Sequence, residues 1–405
     1  MENRNDIVIV SAVRTPFSRF DSAMAAIPSI DLGIVVMKEV IKRVGVQPEE
    51  VDEIYYGSCV LAEVALETDV PARQASLLAG FPADNISVTL DRACCSSLTT
   101  LRLGAVSMMA GISKTVMSVG SENMPRMPHL APGLRQGVRI GHIKLIDGLF
   151  ELGYTAKGFN PVALDAGEVA VEYGVTREMQ DEWAVRSQEL CMKAYADGKL
   201  KIGEELTPIV IPQKKGDPIV IDKDESPRKT SVEALSKLKT VYGSPTVTPG
   251  NAPPLSAGSS AILLMTREQA ANKGLKPLAT VVAIVSSATD PRRIAVIPAY
   301  TIQKALGKAG LTIDDMNLIE INEAFAAVPL VSTKILADGD EEKWKAIRDK
   351  TNVNGGAIAL GHPVGASAGR ITMTLAYELQ RRGGGYGVAA ICGGLAQGEA
   401  VILKV

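Results

Sequence analysis

The chain has 405 residues, and because a domain holds roughly 100 to 200 residues, this length predicts two or three domains. Hydrophobic residues make up 46% and charged residues 22% of the chain, which is typical of a soluble globular protein and argues against long disorder. The net charge is -2 and aromatic residues are only 4%, so we expect neither nucleic acid nor a membrane surface as a partner.

The cysteine usage excludes two further classes of protein. Five cysteines are scattered without CxxC spacing, and the chain has only three histidines, so we predict neither a disulfide framework nor a metal site. No signal-peptide pattern precedes the apolar run at residues 7–10, and no apolar stretch reaches about 18 residues. We therefore expect a cytoplasmic protein.

The first predicted strand belongs to a block that returns later in the chain. Residues 9–16 (IVSAVRTP) resemble residues 284–291 (IVSSATDP). A helix-like segment then ends at Gly45, and its counterpart in the second half ends at Gly310. The stretches that follow, residues 46–54 and 311–319, are also similar. Because two blocks match in the same order at nearly the same offset, we predict an internal duplication.

Each half continues with a strand, a loop of small or polar residues and a helix. In the first half these elements are predicted at residues 86–90, 94–97 and about 98–109. In the second half they are predicted at residues 351–354, 361–363 and about 366–381. Alternating strands and helices predict an α/β fold that binds its ligands at loops on the strand ends.

The stretch between the halves breaks this pattern. It contains an amphipathic helix at about residues 176–197 and a Lys-rich polar segment at residues 214–239. Because it has apolar periodicity of its own, we predict an inserted loop domain rather than a linker. The predicted domains are residues 1–120, completed by about 246–275, the loop domain 121–245, and residues 276–405.

Two residues in the equivalent loops are candidates for nucleophilic catalysis. Cys94 lies at a strand-to-helix turn, where the helix N-terminus is expected to lower the pKa of a thiol. His362 occupies nearly the equivalent loop of the second half, so the duplication can bring the two side chains together as an activated nucleophile. Taken singly, each could equally be a structural residue. Cys392 ends a strand-like run, and Gly393 and Gly394 after it allow backbone N–H groups to approach an oxyanion.

A second motif in this region has the form of a hydrolase signature. Residues 365–369 (GASAG) match the G-x-S-x-G nucleophile elbow, but a hydrolase of that type needs a histidine after its serine. His362 is the last histidine in the chain. We therefore interpret these small residues as a site of close helix packing.

Seven blocks together carry a family resemblance that covers nearly the whole chain. They are residues 12–16 (AVRTP), 71–75 (PARQA), 91–96 (DRACCS), 248–252 (TPGNA), 322–326 (NEAFA), 352–367 (NVNGGAIALGHPVGAS) and 392–394 (CGG). The chain resembles the thiolases, which are acetyl-CoA C-acyltransferases. The resemblance implies two similar halves in a five-layered α-β-α-β-α fold, a loop domain that binds coenzyme A, and a homodimer or homotetramer.

The resemblance also implies catalytic roles for individual residues. Cys94 would be the acylated nucleophile, His362 would deprotonate it, and Cys392 would exchange the α-proton of the second acetyl group. Asn322, through a held water, would join His362 in one oxyanion hole, and the backbone N–H groups of Cys94 and Gly394 would form the other. Acyl-CoA and CoA would be substrates, with no permanently bound cofactor.

The CoA-binding residues rest on the same resemblance. Arg228 matches an arginine that packs on the adenine of CoA, although it could equally be a solvated loop charge. Asn251 and Pro253 fall in or beside a matching block. Three departures bear on the acyl and pantetheine sites: Pro253–Pro254 replaces Ser-Gly, Pro161–Val162 replaces a His-Met pair, and Leu395–Ala396 replaces a glycine pair.

The function predicted from the sequence is therefore thiolytic cleavage of 3-ketoacyl-CoA and the reverse Claisen condensation. The alternative is an acetyl-CoA acetyltransferase specific for acetoacetyl-CoA. A non-catalytic acyl-CoA or lipid-binding protein is a remote alternative, because such a protein is expected to lose the nucleophile or a base. A decarboxylating ketoacyl synthase would need two active-site histidines, whereas the second base of this chain is Cys392.

Overall fold

The computed structural model describes residues 4–151 and 157–405. Its helices are α1 (Ser29–Lys42), α2 (Leu61–Val64), α3 (Pro71–Ala79), α4 (Ser96–Met109), α5 (Gly148–Glu151), α6 (Val162–Glu172), α7 (Arg177–Ala196), α8 (Val232–Ser236), α9 (Arg267–Asn272), α10 (Ile297–Ala309), α11 (Ala327–Leu336), α12 (Glu341–Asp349), α13 (Ala357–Leu360) and α14 (Ser367–Arg381). Its strands are β1 (Ile7–Arg14), β2 (Glu53–Gly57), β3 (Ile86–Leu90), β4 (Thr115–Asn123), β5 (His129–Leu130), β6 (Ile146–Asp147), β7 (Ile209–Ile211), β8 (Ile219–Ile221), β9 (Ala257–Thr266), β10 (Ala279–Ala288), β11 (Met316–Ile321), β12 (Tyr386–Gly393) and β13 (Gln397–Lys404).

The main sheet consists of two similar sheets joined edge to edge. The order β1-β9-β4-β2-β3 in the first half matches β10-β13-β12-β11 in the second, and parallel and antiparallel pairings occur at the same places. An isolated parallel bridge between Ile319 and Thr351 extends the second sheet at the place that β3 takes in the first. The halves meet where β1 and β10 pair through only Val8–Thr280 and Ile9–Ala279. The predicted duplication is therefore confirmed.

Helices on both sides of the two sheets complete five layers. Helices α4 and α14 pack against each other and between the sheets, and the Ser97 hydroxyl accepts the backbone N–H of Gly369 at 2.9 Å. Helices α1 and α3 cover the outer face of the first sheet, and α10 covers the outer face of the second, with α11 against it. The apolar core is correspondingly divided into clusters on the outer faces and one around the central helices. This is the predicted α-β-α-β-α order.

The segment between β4 and β9 forms α5 to α8 and the hairpins β5–β6 and β7–β8. It is fixed to the first half by the fully buried Arg14, which donates to both carboxylate oxygens of Asp224 at 2.7 and 2.9 Å. It is fixed to the second half by Glu323, which accepts from the indole of Trp183 at 2.9 Å and from Ser187 Oγ at 2.7 Å. The insertion therefore contacts both halves.

The predicted helices are found with small shifts of their ends, but the predicted strand at residues 351–354 is wrong. Thr351 and Val353 form only isolated bridges, and Asn352 between them has a left-handed φ of 49° that interrupts extended backbone. The Asn352 side chain accepts the N–H of Ile321 at 2.9 Å and donates to its carbonyl at 2.8 Å. A side-chain amide thus replaces the backbone ladder at this position.

No helix within the described ranges is long and apolar enough to cross a membrane.

Candidate active site

Two loops that the duplication makes equivalent lie together between the halves. One precedes α4 and carries Cys94, and the other precedes α14 and carries His362. His362 Nε2 lies 3.2 Å from Cys94 Sγ. This is hydrogen-bond distance for a nucleophile and its base, so the structure brings together the pair that the sequence predicts.

The turn that carries Cys94 is held by local hydrogen bonds. Ala93 has a left-handed φ of 48°, and its N–H donates to Asp91 Oδ1 at 2.8 Å. Ser96 Oγ accepts the N–H of Arg92 at 2.8 Å and donates to the Ala93 carbonyl at 2.7 Å. Because both sides of the turn are fixed, the position of Cys94 is set before any substrate binds.

The adjacent cysteine lies on the opposite side of this turn. Cys95 is fully buried, and its sulfur lies 3.7 Å from the Ile391 carbonyl and 4.0 Å from the Gln397 carbonyl of the second sheet. A Cβ at Gly393 would lie 2.7 Å from Cys95 Sγ, which explains the glycine there. Cys95 therefore packs the halves together, and Cys94 is the cysteine that contacts His362.

The hydrogen bonds of His362 define its tautomer. Ser367 Oγ lies 2.6 Å from His362 Nδ1 and 2.9 Å from the Pro363 carbonyl. Because the hydroxyl has one hydrogen and the carbonyl can only accept it, Ser367 Oγ accepts a hydrogen bond from the Nδ1–H group. Nε2 is then unprotonated and free to accept the thiol proton of Cys94. The G-x-S-x-G pattern does not predict this role of Ser367. Its place five residues after His362, at the first turn of α14, is the sequence signal that could have identified it.

Burial determines the charges of this pair. Burial, with a smaller contribution from Arg370, lowers the pKa of His362 to about 3. Burial also raises the pKa of Cys94 well above its usual value, and the nearby Cys392 adds to this effect. The expectation that the helix N-terminus lowers the pKa of Cys94 is therefore wrong, because desolvation outweighs the helix dipole. The resting pair is a neutral thiol and a neutral imidazole.

The third predicted catalytic side chain lies at the end of β12. Cys392 is fully buried, and burial raises its pKa to about 12. Gly394 lies in the tight turn that joins β12 to β13. In the same turn Leu395 and Ala396 both have a left-handed φ of 55°. These two residues, which replace a glycine pair, therefore stand at positions where the backbone conformation favours glycine.

Asn322 follows β11 directly and is fully buried. Its N–H donates at 3.0 Å to the carbonyl of Ala390 on β12, the strand that also carries Cys392. Its side-chain Oδ1 accepts from Arg370 Nη2 at 3.4 Å. Within the described part of the chain, Nδ2 is buried without a hydrogen-bond partner, and a buried donor of this kind is suited to a bound water or an oxyanion.

A buried carboxylate beneath the site was not found from the sequence. Glu122, near the end of β4, accepts backbone N–H groups from Cys59, Val60 and Gly365 at 2.8 to 3.0 Å. These bonds join a loop of the first half to the loop of His362. Burial raises the pKa of Glu122 to about 7, although the three N–H groups oppose this shift. A carboxylate at the end of a fully buried strand is the sequence signal that could have identified it.

The three predicted CoA-binding residues differ in their surroundings. Arg228 is exposed, and its backbone N–H donates to Gln188 Oε1 at 2.8 Å, which anchors its loop to α7. Pro253 is half-buried just before β9. Asn251 is fully buried, and both of its amide hydrogens are used, toward Asp181 Oδ1 and the carbonyl of residue 246. The Asn251 side chain therefore holds its own loop, and a role of Asn251 in CoA binding stays a prediction.

Comparisons with known proteins agree with this fold. Residues 7–268 match the family description "Thiolase, N-terminal domain", and residues 275–405 match "Thiolase, C-terminal domain". An acetyl-CoA acetyltransferase of Pseudomonas aeruginosa is 40% identical over 98% of this chain and 99% of its own length. One from Syntrophomonas wolfei is 41% identical over 98% of this chain and 99% of its own length.

Solved structures show the same similarity. The crystal structure of human mitochondrial 3-ketoacyl-CoA thiolase has a TM-score of 0.90 at 33% identity and covers 99% of both chains. The Bacillus anthracis acetyl-CoA acetyltransferase has a TM-score of 0.91 at 36% identity and covers 98% of both chains. From its sequence and its fold, the chain belongs to the thiolase family of acyltransferases.

Proposed function

We propose that this enzyme cleaves 3-ketoacyl-CoA with CoA, and catalyses the reverse condensation, through an acyl group on Cys94. The observation that supports this most directly is the 3.2 Å contact between Cys94 Sγ and His362 Nε2, with Ser367 fixing the tautomer of the imidazole. A neutral imidazole beside a half-buried thiol can take the thiol proton as the sulfur attacks, so that no free thiolate has to form beforehand.

The first half-reaction uses this pair. In the condensation direction, Cys94 Sγ attacks the thioester carbon of acetyl-CoA while its proton passes to His362 Nε2. His362 then returns the proton to the departing CoA sulfur, which leaves acetyl-Cys94. The backbone N–H groups of Cys94 and Gly394 are proposed to stabilise the tetrahedral oxyanion of this step.

The second half-reaction requires a base for a weak carbon acid. Neutral His362 first takes the thiol proton of Cys392; the Cys392 thiolate then removes an α-proton from a second acetyl-CoA, and the enolate carbon attacks acetyl-Cys94. The C–S bond breaks, and the proton held by His362 restores the thiol of Cys94, while Cys392 keeps the proton taken from the α-carbon. A thiolate whose pKa is raised to about 12 is a strong base, and the unpartnered Nδ2 of Asn322, through a water, is proposed to stabilise the enolate with His362. Thiolysis follows the same steps in reverse.

A thiolysis assay tests this proposal. Incubation of the enzyme with acetoacetyl-CoA and CoA is expected to release acetyl-CoA, and Cys94→Ser is expected to abolish the release. If the wild-type enzyme binds CoA esters but releases no acetyl-CoA, the remote alternative of a non-catalytic binding protein is favoured instead.

We propose that the loop domain at residues 121–245 binds CoA and that Arg228 packs on its adenine. Two contacts hold this loop: Arg14 binds Asp224, four residues before Arg228, and the backbone N–H of Arg228 binds Gln188. The exposed guanidinium of Arg228 therefore extends from an anchored loop. A cation–π contact contributes about 0.5 to 2 kcal/mol, so Arg228→Ala should raise KM for CoA by about 2- to 30-fold at unchanged kcat. An unchanged KM would leave Arg228 a solvated loop charge.

We propose a substrate longer than acetoacetyl-CoA. Pro161–Val162 stands at the start of α6, where short-chain enzymes carry the bulkier and more polar His-Met pair. Each methylene buried is worth up to about 0.8 kcal/mol, so a small opening of this wall can change the preference several-fold. Measuring kcat/KM for C4, C6, C8 and C10 substrates decides this: a steep fall immediately beyond C4 would favour the acetoacetyl-CoA-specific alternative.

We propose that the enzyme is a homo-oligomer in which β3 pairs with β3 of a second copy. This strand is the free edge of the first sheet, and its side chains Ile86 and Val88 are 60% and 41% exposed. Further exposed apolar side chains continue this face on and beside α3 and α4: Leu77, Leu78, Val106, Met109 and Ile112. An apolar edge strand favours self-pairing. Val88→Lys should give monomers in sedimentation velocity, and an unchanged oligomer would contradict this interface.

We propose that the enzyme works in the cytoplasm. The proposed chemistry needs Cys94 and Cys392 as reduced thiols, and cytoplasmic glutathione and thioredoxin keep thiols reduced. The cysteines of the described residues are all free, which agrees with a reducing compartment.

A further inference from the structure

A fully buried arginine connects the predicted oxyanion residue to the helix that follows His362. Arg370 lies on α14, one turn beyond Ser367. Its Nη1 donates to Glu320 Oε2 at 3.2 Å, and its Nη2 donates to Asn322 Oδ1 at 3.4 Å. Because Glu320 and Asn322 are two residues apart at the end of β11, they project to the same side, and one guanidinium contacts both.

This contact determines the orientation of the Asn322 amide. A guanidinium can only donate hydrogen bonds, so the atom that faces Arg370 must be the carbonyl oxygen Oδ1. Nδ2 then points away from Arg370, and it is buried and has no partner among the described residues. If the amide turned over, its oxygen would replace this donor, and an oxygen repels an enolate.

The pair of Arg370 and Glu320 is suited to hold this orientation. Their side chains are 1% and 3% exposed, so the ion pair is shielded from water. A lone buried arginine would be costly, and the Glu320 carboxyl accepts from Nη1 while leaving Nη2 for the amide. Burial raises the pKa of Glu320 to about 8, and the charge of Arg370 opposes this shift. Arg370 also contributes to the low pKa of His362, which places its charge close to the second member of the same oxyanion hole.

We propose that Arg370 is a positioning residue of the condensation step, which holds the Asn322 amide with Nδ2 ready for the enolate oxygen, directly or through a water. This inference rests on the proposed thiolase function. In this proposal Glu320 holds the guanidinium of Arg370 in position. Arg370 itself does not contact substrate, so its effect is expected to pass through Asn322.

A double-mutant cycle tests this dependence. The first variant is Asn322→Ala, and the second replaces the whole ion pair, Arg370→Met with Glu320→Met, because replacing both partners avoids an unpaired buried charge. A third variant combines all three changes, and Met373→Leu on α14 is the control for general disturbance of that helix. For each protein, kcat and KM of condensation and the rate of Cys94 acetylation are measured.

We expect Asn322→Ala to lower kcat of condensation by about 10²-fold, at the lower end of what an oxyanion donor contributes. The ion-pair variant should lower kcat similarly, and the combined variant should be no slower than Asn322→Ala alone. KM and the rate of Cys94 acetylation should stay within about threefold, as for Met373→Leu. Arg370→Lys keeps one cationic donor, so its kcat should lie between those of the ion-pair variant and the wild type. It replaces the ion-pair variant in the cycle if that variant fails to fold.

Two results would overturn the inference: multiplicative losses in the combined variant, or a loss of Cys94 acetylation equal to the loss of condensation. Either would make Arg370 a structural residue of α14. These outcomes are distinguishable from failure of the proposed function, because in that case the wild-type enzyme itself would show no condensation.

Discussion

His362 Nε2 lies 3.2 Å from Cys94 Sγ, although 268 residues separate them in the sequence. The contact exists because each residue occupies the loop before a central helix, α4 or α14, and those helices pack on each other. Duplication of one αβ unit thus supplied two equivalent loops, and their different residues became the nucleophile and the base.

The hydroxyl of Ser367 is expected to be needed for this base. Ser367→Ala removes the acceptor that fixes the Nδ1–H tautomer, so the acetylation rate of Cys94 should fall by about 10- to 100-fold, a part of what general-base catalysis supplies. Thr372→Val is the matched control, because its hydroxyl also donates to a carbonyl four residues earlier on α14. Equal rates for Ser367→Ala and the wild type would show that the tautomer is fixed by something else.

The low pKa of His362 predicts the pH dependence of acetylation. Because burial and Arg370 hold this pKa at about 3, the imidazole remains a base in acidic buffer. The rate of Cys94 acetylation should therefore show no acidic midpoint near 6.5, the value of an unperturbed histidine. A stopped-flow pH series checks this, and loss of half the rate between pH 6 and 7 would contradict it.

The same shift predicts the pH dependence of stability. Below about pH 6.5 the unfolded chain binds a proton at residue 362 and the folded protein does not until about pH 3, so the free energy of unfolding falls as pH falls through this window. Glu122 has the opposite effect. Because its pKa is raised to about 7, its contribution to the free energy of unfolding falls as pH rises from about 4.5 to 7. Urea unfolding of wild type and His362→Asn at pH 5 and 7.5 separates the two, because the acid loss from residue 362 should vanish in the variant.

The two bases should be separable by substitution. Cys392→Ala should still allow acetylation of Cys94 but abolish condensation, because proton transfer at the α-carbon belongs only to the second half-reaction. His362→Ala should suppress both steps. Substantial condensation by Cys392→Ala would make Cys392 an ordinary buried thiol.

The turn after Cys392 is expected to store backbone strain. Leu395 has a left-handed φ of 55°, which costs a non-glycine residue roughly 1–2 kcal/mol. Leu395→Gly should therefore unfold at higher urea than Leu395→Ala, which removes the same side chain but keeps the strain. Equal midpoints for the two variants would show that the turn relaxes without cost.

The two-half fold and the meeting of the two catalytic loops were predictable because the duplication is visible in the sequence. The repeated blocks predicted equivalent loops, and these loops predicted that Cys94 and His362 meet. The strand at residues 351–354 was not correctly predicted, because the side chain of Asn352 performs a backbone function that a β-branched run does not reveal.

The parts that the sequence did not predict depend on burial across elements distant in the chain. The pKa of Cys94 is raised instead of lowered because desolvation depends on how both halves close over the thiol. Ser367 and Glu122 have only weak local signals, and Arg370 acts through contacts with β11 and Asn322, so the roles of all three become visible only in the fold. Asn251 lies in a matching block, but its bond to Asp181 appears only in the fold.

The most direct test of the account is to map the acyl group. The enzyme is incubated with acetyl-CoA alone, digested under conditions that preserve thioesters, and analysed by mass spectrometry. One acetyl group on Cys94 is the predicted result, because Cys94 contacts His362 while Cys95 is directed into the second sheet. An acetyl group on Cys95 with Cys94 free, or no acetylated cysteine at all, would contradict the account.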